Sequence, residues 1–409
     1  MTAHRALLPL FALAAATGCR TRAAVPPSAH DAGGGGAAGT ALTATFSAQR
    51  CGECHNLMFD GWLPSAHAQA ARSPTYTAMR AAAEKHRVGA PAACDRCHAP
   101  LRALTDARDP AVEEGVTCDV CHTIHAAKAK RTGAGFVMVP NENVRMGPLC
   151  DARDHYFHRM GCSPLHTQAQ FCGSCHLYYE NAGQANELPI YTEYEEWLAS
   201  PYPALGQTCQ ACHMPDSRDE VARGSPPRDG VPHHGFLGSD GLLRRRALTL
   251  KLEVAEHEGR LRVTVTLANK RAGHRVPTGL PDRRLVLRVR TVDGAGAQVA
   301  GDERVYGRLL ADAAGQAAAS FAATQVVDDN RLMPRETRAE TFDLAGPPAG
   351  EVRAQLAYQP VAPEIARRLG MPAPAEQILL EASVPFDAPG SHRHRGRLPA
   401  TQVAKIEVP

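Results

Sequence analysis

Aromatic residues are scarce in this chain of 409 residues: Trp, Tyr and Phe together make up only 5% of it. A core built mainly from aromatic packing is excluded, so something else has to fill the interior. Long apolar runs are lacking too. The one continuous stretch, Ala6 to Ala16, is too short to cross a bilayer. Neither sign of charge dominates, with 45 Lys and Arg against 42 Asp and Glu and a net charge of +3. No phosphate loop, serine triad or dinucleotide fingerprint is visible, which leaves those enzyme classes without support.

What is present begins at the N-terminus. His4 and Arg5 precede the apolar run, which ends at Ala16-Thr17-Gly18-Cys19, so residues 1 to 19 read as a signal peptide. Small residues directly before a cysteine resemble the lipobox of bacterial lipoproteins, which implies acylation of Cys19 and a membrane anchor there. Arg20 stands where an inner-membrane retention aspartate would sit, so the resemblance implies a periplasmic protein anchored to the outer membrane. Residues 20 to 45, rich in Ala, Gly and Pro, read as a flexible tether.

Thirteen cysteines in an exported chain suggest a disulfide framework until their spacing is read. Cys-x-x-Cys-His occurs five times: Cys51-Cys54-His55, Cys94-Cys97-His98, Cys118-Cys121-His122, Cys172-Cys175-His176 and Cys209-Cys212-His213. Two cysteines three apart can form thioethers to the vinyl groups of one haem, and the adjacent histidine then lies under the iron as its proximal ligand. Zinc sites also use paired cysteines, and Cys94 to Cys121 alone fits a zinc ribbon. A ribbon gives no reason for histidine after every pair, so the expectation is five covalently bound haem c groups. Cys150 and Cys162, 12 apart, could form a disulfide or remain free thiols.

The expected fold is α+β and multidomain. Residues 46 to 240 lack sustained periodicity, while haem motifs recur through them, which predicts a mostly helical or irregular pentahaem cytochrome c domain wrapped around its haems. Thr75 to His86 reads as a helix. From about 245 to 360 the pattern changes: Leu248, Leu250, Leu252 and Val254 alternate with polar residues, as do Leu261, Val263, Val265 and Leu267, then Leu285, Leu287 and Val289. Period two marks half-buried antiparallel strands, and Glu256 to Gly259 makes a hairpin turn. With strand-like runs at Arg338 to Leu344 and Val352 to Tyr358, this predicts a small antiparallel β-sandwich. The tail, 361 to 409, carries little signal beyond a helical stretch within Pro360 to Arg368.

Several segments resemble the multihaem cytochrome c family that includes the tetrahaem electron acceptor of hydroxylamine oxidoreductase. They are Cys51-Gly-Glu-Cys-His55 with Trp62-Leu-Pro-Ser65-Ala-His67, Gly115-Val-Thr-Cys-Asp-Val-Cys-His122, the stretch from Gly147-Pro148 to His176, Cys209-Gln-Ala-Cys-His-Met-Pro215, and His233-His234-Gly-Phe236. Gly273-His274-Arg-Val-Pro277-Thr278-Gly279 resembles a turn of the β-domain appended to such cytochromes. The resemblance spans about residues 48 to 360 and implies electron transfer between closely stacked haems, without fixing a substrate. One element is repeated with a change: Trp197-Leu-x-Ser200-x-Tyr202 copies Trp62-Leu-x-Ser65-x-His67 with tyrosine in place of histidine.

The sixth position on each iron decides whether a haem only passes electrons or also binds substrate. His67 is the leading distal candidate, since its segment resembles the family's distal-ligand element. His158 and His166 precede the fourth motif, with His155 as a neighbour; His234 is preferred over adjacent His233; and His274 could reach back from the β-domain to cap a haem. His125 would serve a neighbouring haem. Met58, Met79, Met146, Met160 and Met214 are alternatives that would raise the potential.

These readings lead to an electron carrier with mostly bis-His haems, exchanging electrons with periplasmic or membrane redox partner proteins. The alternative is a multihaem oxidoreductase in which one open haem acts on a small nitrogen or sulfur species. Pentahaem nitrite reductase has lysine in place of histidine in one motif, and none of these five motifs does. Five haems bring about ten propionates, which would make the loaded protein acidic and argues against nucleic acid as a partner.

Overall fold

The computed structural model describes residues 47–86, 91–104, 110–140, 142–238, 241–347, 349–387 and 402–407, all within one compact unit. The expected signal peptide, Cys19 and tether lie outside the described residues. Helices and sheets are mixed along the chain, as an α+β fold requires.

Up to residue 238 the elements are short. The longest helix, Pro74–His86, starts with proline at its first position, and the Ser73 hydroxyl accepts from Tyr76 N at 3.3 Å. Each Cys-x-x-Cys-His falls in or beside a single helical turn: Ala48–Gly52, Pro91–His98, Cys118–His122, Ala169–Gly173 and Cys209–His213. A turn of helix puts residues three and four apart on one face, so both sulfurs and the imidazole emerge together. Residues inside the motifs anchor these turns: buried Asp119 pairs with Arg145 at 2.8 and 3.2 Å, and Asp95 with Arg80, Arg102 and Tyr76. Sequence periodicity gave no sign of four two-stranded ladders in this region, because their strands are only three to five residues long. Cys150 and Cys162 form a disulfide, with Cα atoms 4.6 Å apart.

The second half holds two antiparallel sheets. In chain order their strands are β1 (Leu248–His257), β2 (Arg260–Asn269), β3 (Arg284–Asp293), β4 (Gln298–Ala311), β5 (Gln325–Asp329), β6 (Thr337–Leu344), β7 (Ala349–Gln359), β8 (Gln377–Asp387) and β9 (Gln402–Glu407). One sheet has the order β6-β2-β1-β9, the other β5-β4-β3-β7-β8. The alternating residues of β1 and β2 pack with Leu285, Leu287, Val289, Leu356 and Leu380 of the second sheet in one shared core. The β1–β2 hairpin turns at Glu258 and Gly259, both at positive φ, which suits the right-handed twist of its strands. The sheets run past the expected boundary at 360, since β8 and β9 complete them, and Pro363–Arg368 is a helix between.

Candidate functional site

A cavity of about 1940 Å³ runs through the region of the five motifs and is bordered on one side by residues of the sheets, among them Leu285 and Tyr358, and by Val276 of the turn between β2 and β3. Pockets for small ligands reach roughly 1,000 Å³. This one is far larger, and it accounts for the scarcity of aromatics: the polypeptide leaves its interior to something else. All ten motif cysteines border it with the exception of none, and all five motif histidines do as well.

The histidines meet across this space in pairs. His55 stands opposite His158 with ring centroids 6.2 Å apart, His122 opposite His234 at 6.2 Å, His176 opposite His67 at 6.2 Å, and His213 opposite His274 at 6.3 Å. Two imidazoles bound to one metal from opposite sides, with bonds of about 2.0 Å, have centroids about 6 Å apart. Direct ring stacking would bring them closer. The remaining motif histidine, His98, lies 4.6 Å from the Tyr76 ring, and among the described side chains no second imidazole stands opposite it.

Backbone carbonyls orient most of these rings. His55 Nδ1 lies 2.6 Å from Val221 O, His122 Nδ1 2.6 Å from Met146 O, His213 Nδ1 2.5 Å from Leu237 O, and His234 Nδ1 2.8 Å from Pro232 O. A carbonyl only accepts, so Nδ1 carries the proton and the Nε2 lone pair is free to bind a metal. Burial favours the neutral imidazole as well: it pushes His67 down to about 3 and His234 down to about 4, with neighbouring histidines adding to the effect. Neutral imidazole is the form that ligates. Among the described residues no three His, Cys, Asp or Glu side chains cluster around a single point, so the donors are arranged as opposed pairs, unlike a zinc cluster.

His166 is placed differently from the other distal candidates. It lies 5.6 Å from His122, which already faces His234, and its Nε2 points to Cys121 O at 3.1 Å. Its Nδ1 is buried without a partner, as is that of His67. His155, His233 and His125 are exposed. Met58, Met79, Met160 and Met214 border the cavity.

Two local devices set the distal histidines. Gly115, at φ +74°, packs so closely on His67 O that a Cβ would collide with it, while Val116 N donates to the same oxygen at 3.0 Å. The repeated Trp element also resolves. Trp62 Nε1 donates to Val116 O at 2.8 Å, and its copy Trp197 to Gln207 O at 2.9 Å. The first copy presents His67 itself; in the second, Trp197 and Tyr202 pack under Gly273, beneath the turn that carries His274.

That turn, between β2 and β3, is held by two carboxylates of the helix Glu193–Leu198. Glu196 accepts from Arg275 N at 2.9 Å, and Glu193 from Thr278 Oγ1 at 3.0 Å and Gly279 N at 2.7 Å. Behind it lies a buried charge network that the sequence gave no means to foresee, because Thr192 and Glu196 are more than 100 residues from Arg308, Asp329 and Arg331. Arg331 bonds Glu196 and Asp329 at 2.7 Å each, and Arg308 bonds Asp329 at 3.1 Å and Thr192 at 2.9 Å. Burial alone would raise Asp329, but Arg331 and Arg308 outweigh it and hold the carboxyl at about 2.

Against known proteins, residues 50–123 match the cytochrome c554 and c-prime family. No curated protein matches. Among solved structures the chain is similar to a penta-heme cytochrome c552 from Thermochromatium tepidum, at 22% identity and a TM-score of 0.67 over 83% of this chain and 99% of that one. The described residues therefore have the fold of a multihaem c-type cytochrome, with a cytochrome c554-type segment at its start.

Proposed function

We propose that this chain is a pentahaem c-type cytochrome that conducts electrons, exported to the periplasm and anchored to the outer membrane through Cys19. The observation that carries the reading is the four imidazole pairs 6.2–6.3 Å apart, each joining a Cys-x-x-Cys-His histidine to a histidine distant in sequence. Each haem, when bound, supplies an iron that cycles between ferric and ferrous. The chain supplies the thioether sulfurs, the proximal ligands His55, His98, His122, His176 and His213, and the distal ligands His158, His234, His67 and His274. The two sheets act as a β-sandwich that carries His274 to the fifth site.

Neighbouring thiols give an order for the path. Cys51 lies beside Cys118, Cys97 beside Cys175, and Cys172 beside Cys209. Cys121 lies near both Cys172 and Cys175. The sites thus run first, third, fourth, fifth, with the second beside the fourth. Of the motif cysteines only Cys54 and Cys212 are exposed, so the first and fifth sites are the ports for redox partner proteins.

Intact-protein mass spectrometry of matured protein should show five haems; four or fewer would reject the reading. Replacing Cys19 should release the protein from the membrane fraction, and continued association would sink the lipid anchor.

A second reading, an open haem at the second motif acting on a small nitrogen or sulfur species, is favoured by the absence of an imidazole opposite His98 among the described side chains. The oxidised protein would then show a high-spin EPR signal for one haem in five. An entirely low-spin spectrum would leave only the conductor.

A further inference from the structure

Behind the second motif, the wall between the haem cavity and the sheets contains Asp282, which is 5% exposed and has one carboxylate oxygen, Oδ2, buried without a partner. An unpaired carboxylate in such a place is strongly disfavoured unless it takes up a proton. Its two arginine neighbours do not bond it. Arg283 donates to Thr278 O at 3.0 Å, and Arg284 forms an ion pair with Glu364.

The position of Asp282 in the wall is what matters. It borders a second, half-open cavity of about 230 Å³, shared with Arg284, Arg308 and Glu364 and otherwise lined largely by small residues such as Ala311 and Ala362. That is room for several waters, each needing roughly 30 Å³. The next residue, Arg283, borders the haem cavity instead, together with Tyr191. Tyr191 lies near Arg283, Cys97 and Asp282, and Arg283 lies near His98. One short segment thus has Asp282 on the small cavity and the Arg283 guanidinium on the haem cavity.

We infer that Asp282 is a proton-binding site linked to the redox state of the second haem, with the small cavity as its inlet. The inference rests on the reading that the second motif carries haem. With haem bound there, one electron from a reduced redox partner protein would be matched by one proton passing from solvent onto Asp282 Oδ2, and the chain's part would be to hold that proton, with no covalent bond formed other than O–H. Burial, opposed by Arg284 and Arg283, pushes the Asp282 carboxyl up to about 7. An electron arriving nearby raises it further, so uptake on reduction should peak just above neutral pH and vanish well below and well above it. The charged groups that face it are Arg283 and Arg284 on its own segment, Tyr191 from the ladder strand Leu188–Tyr191, Arg308 from β4 and Glu364 from the helix Pro363–Arg368.

The test is to reduce the fully loaded protein in weakly buffered solution and count protons taken up per molecule with a pH indicator, from pH 5 to pH 9. The parent should take up close to one proton more than Asp282→Asn near pH 7 to 8, with the two curves merging at the extremes. Asp282→Glu should keep the extra proton, and Asp343→Asn, an exposed acid on β6, should match the parent. Equal uptake by the parent and Asp282→Asn, with five haems in both, overturns the inference. If Asp282→Asn does not fold, redox titration of the parent decides: no component whose potential falls as pH rises through about 7 also overturns it. A haem missing at Cys94 and Cys97 in the parent would instead sink the underlying reading.

Discussion

His274 shows what one side chain can decide. Its ring faces His213, yet it comes from the turn between β2 and β3, and its own Nδ1 lies 3.1 Å from Arg275 O. In the proposed cytochrome thioether attachment would use Cys209 and Cys212, so ligation and attachment would depend on different residues. His274→Ala should therefore keep all five haems by mass while opening the fifth site. A high-spin EPR signal for about one additional haem, together with cyanide binding, is the expected result. A spectrum identical to the parent's would reduce the turn to a packing element. The role of His274 could be posed from sequence because the histidine sits in a Gly- and Pro-rich turn with no core to occupy. Its partner could not, because nothing in the spacing tells which of five proximal rings lies opposite.

Among elements, legibility followed length and regularity. β1 and β2 were readable because ten-residue strands with one buried face alternate strictly. β4 was not, since Gly301, Asp302 and Glu303 interrupt its pattern, and β8 reads as the run Ile378-Leu379-Leu380 followed later by Pro385. The ladders around the cavity were invisible because strands of three to five residues are too short to show a period. The helix Glu193–Leu198 was also unread, although it joins the sheets to the haem region through Glu193 and Glu196. Arg331→Met should leave Glu196 and Asp329 buried with less compensation and cost about 3–5 kcal/mol. The denaturant midpoint should fall accordingly, and the His213–His274 site should become partly high-spin. A loss under 1 kcal/mol would show that Arg308 alone satisfies both carboxylates.

For the whole molecule, the composition carried more than any single segment. Few aromatics, five Cys-x-x-Cys-His motifs and no periodicity before residue 240 together implied an interior filled by something other than side chains, and the structure has a cavity of about 1940 Å³ there. The wall that the motif region shares with the sheets was not legible, because the residues that build it are individually ordinary. Replacing both Cys118 and Cys121 with alanine should remove the third site, which lies between the first and fourth. Little stable protein should accumulate, and what does should be cut readily by protease. Normal, resistant protein would mean that the third haem is peripheral to the fold.

The position of β9 has a consequence for biogenesis. All five attachment motifs end by His213, whereas the four-stranded sheet is complete only when residues 402–407 pair along β1. On the proposed export from N- to C-terminus, the thiols would therefore be presented while the sheet still lacks its last strand and the turn bearing His274 has no finished support. Haem attachment would then not have to wait for the last strand, which completes the sheet along β1 after every motif has been presented.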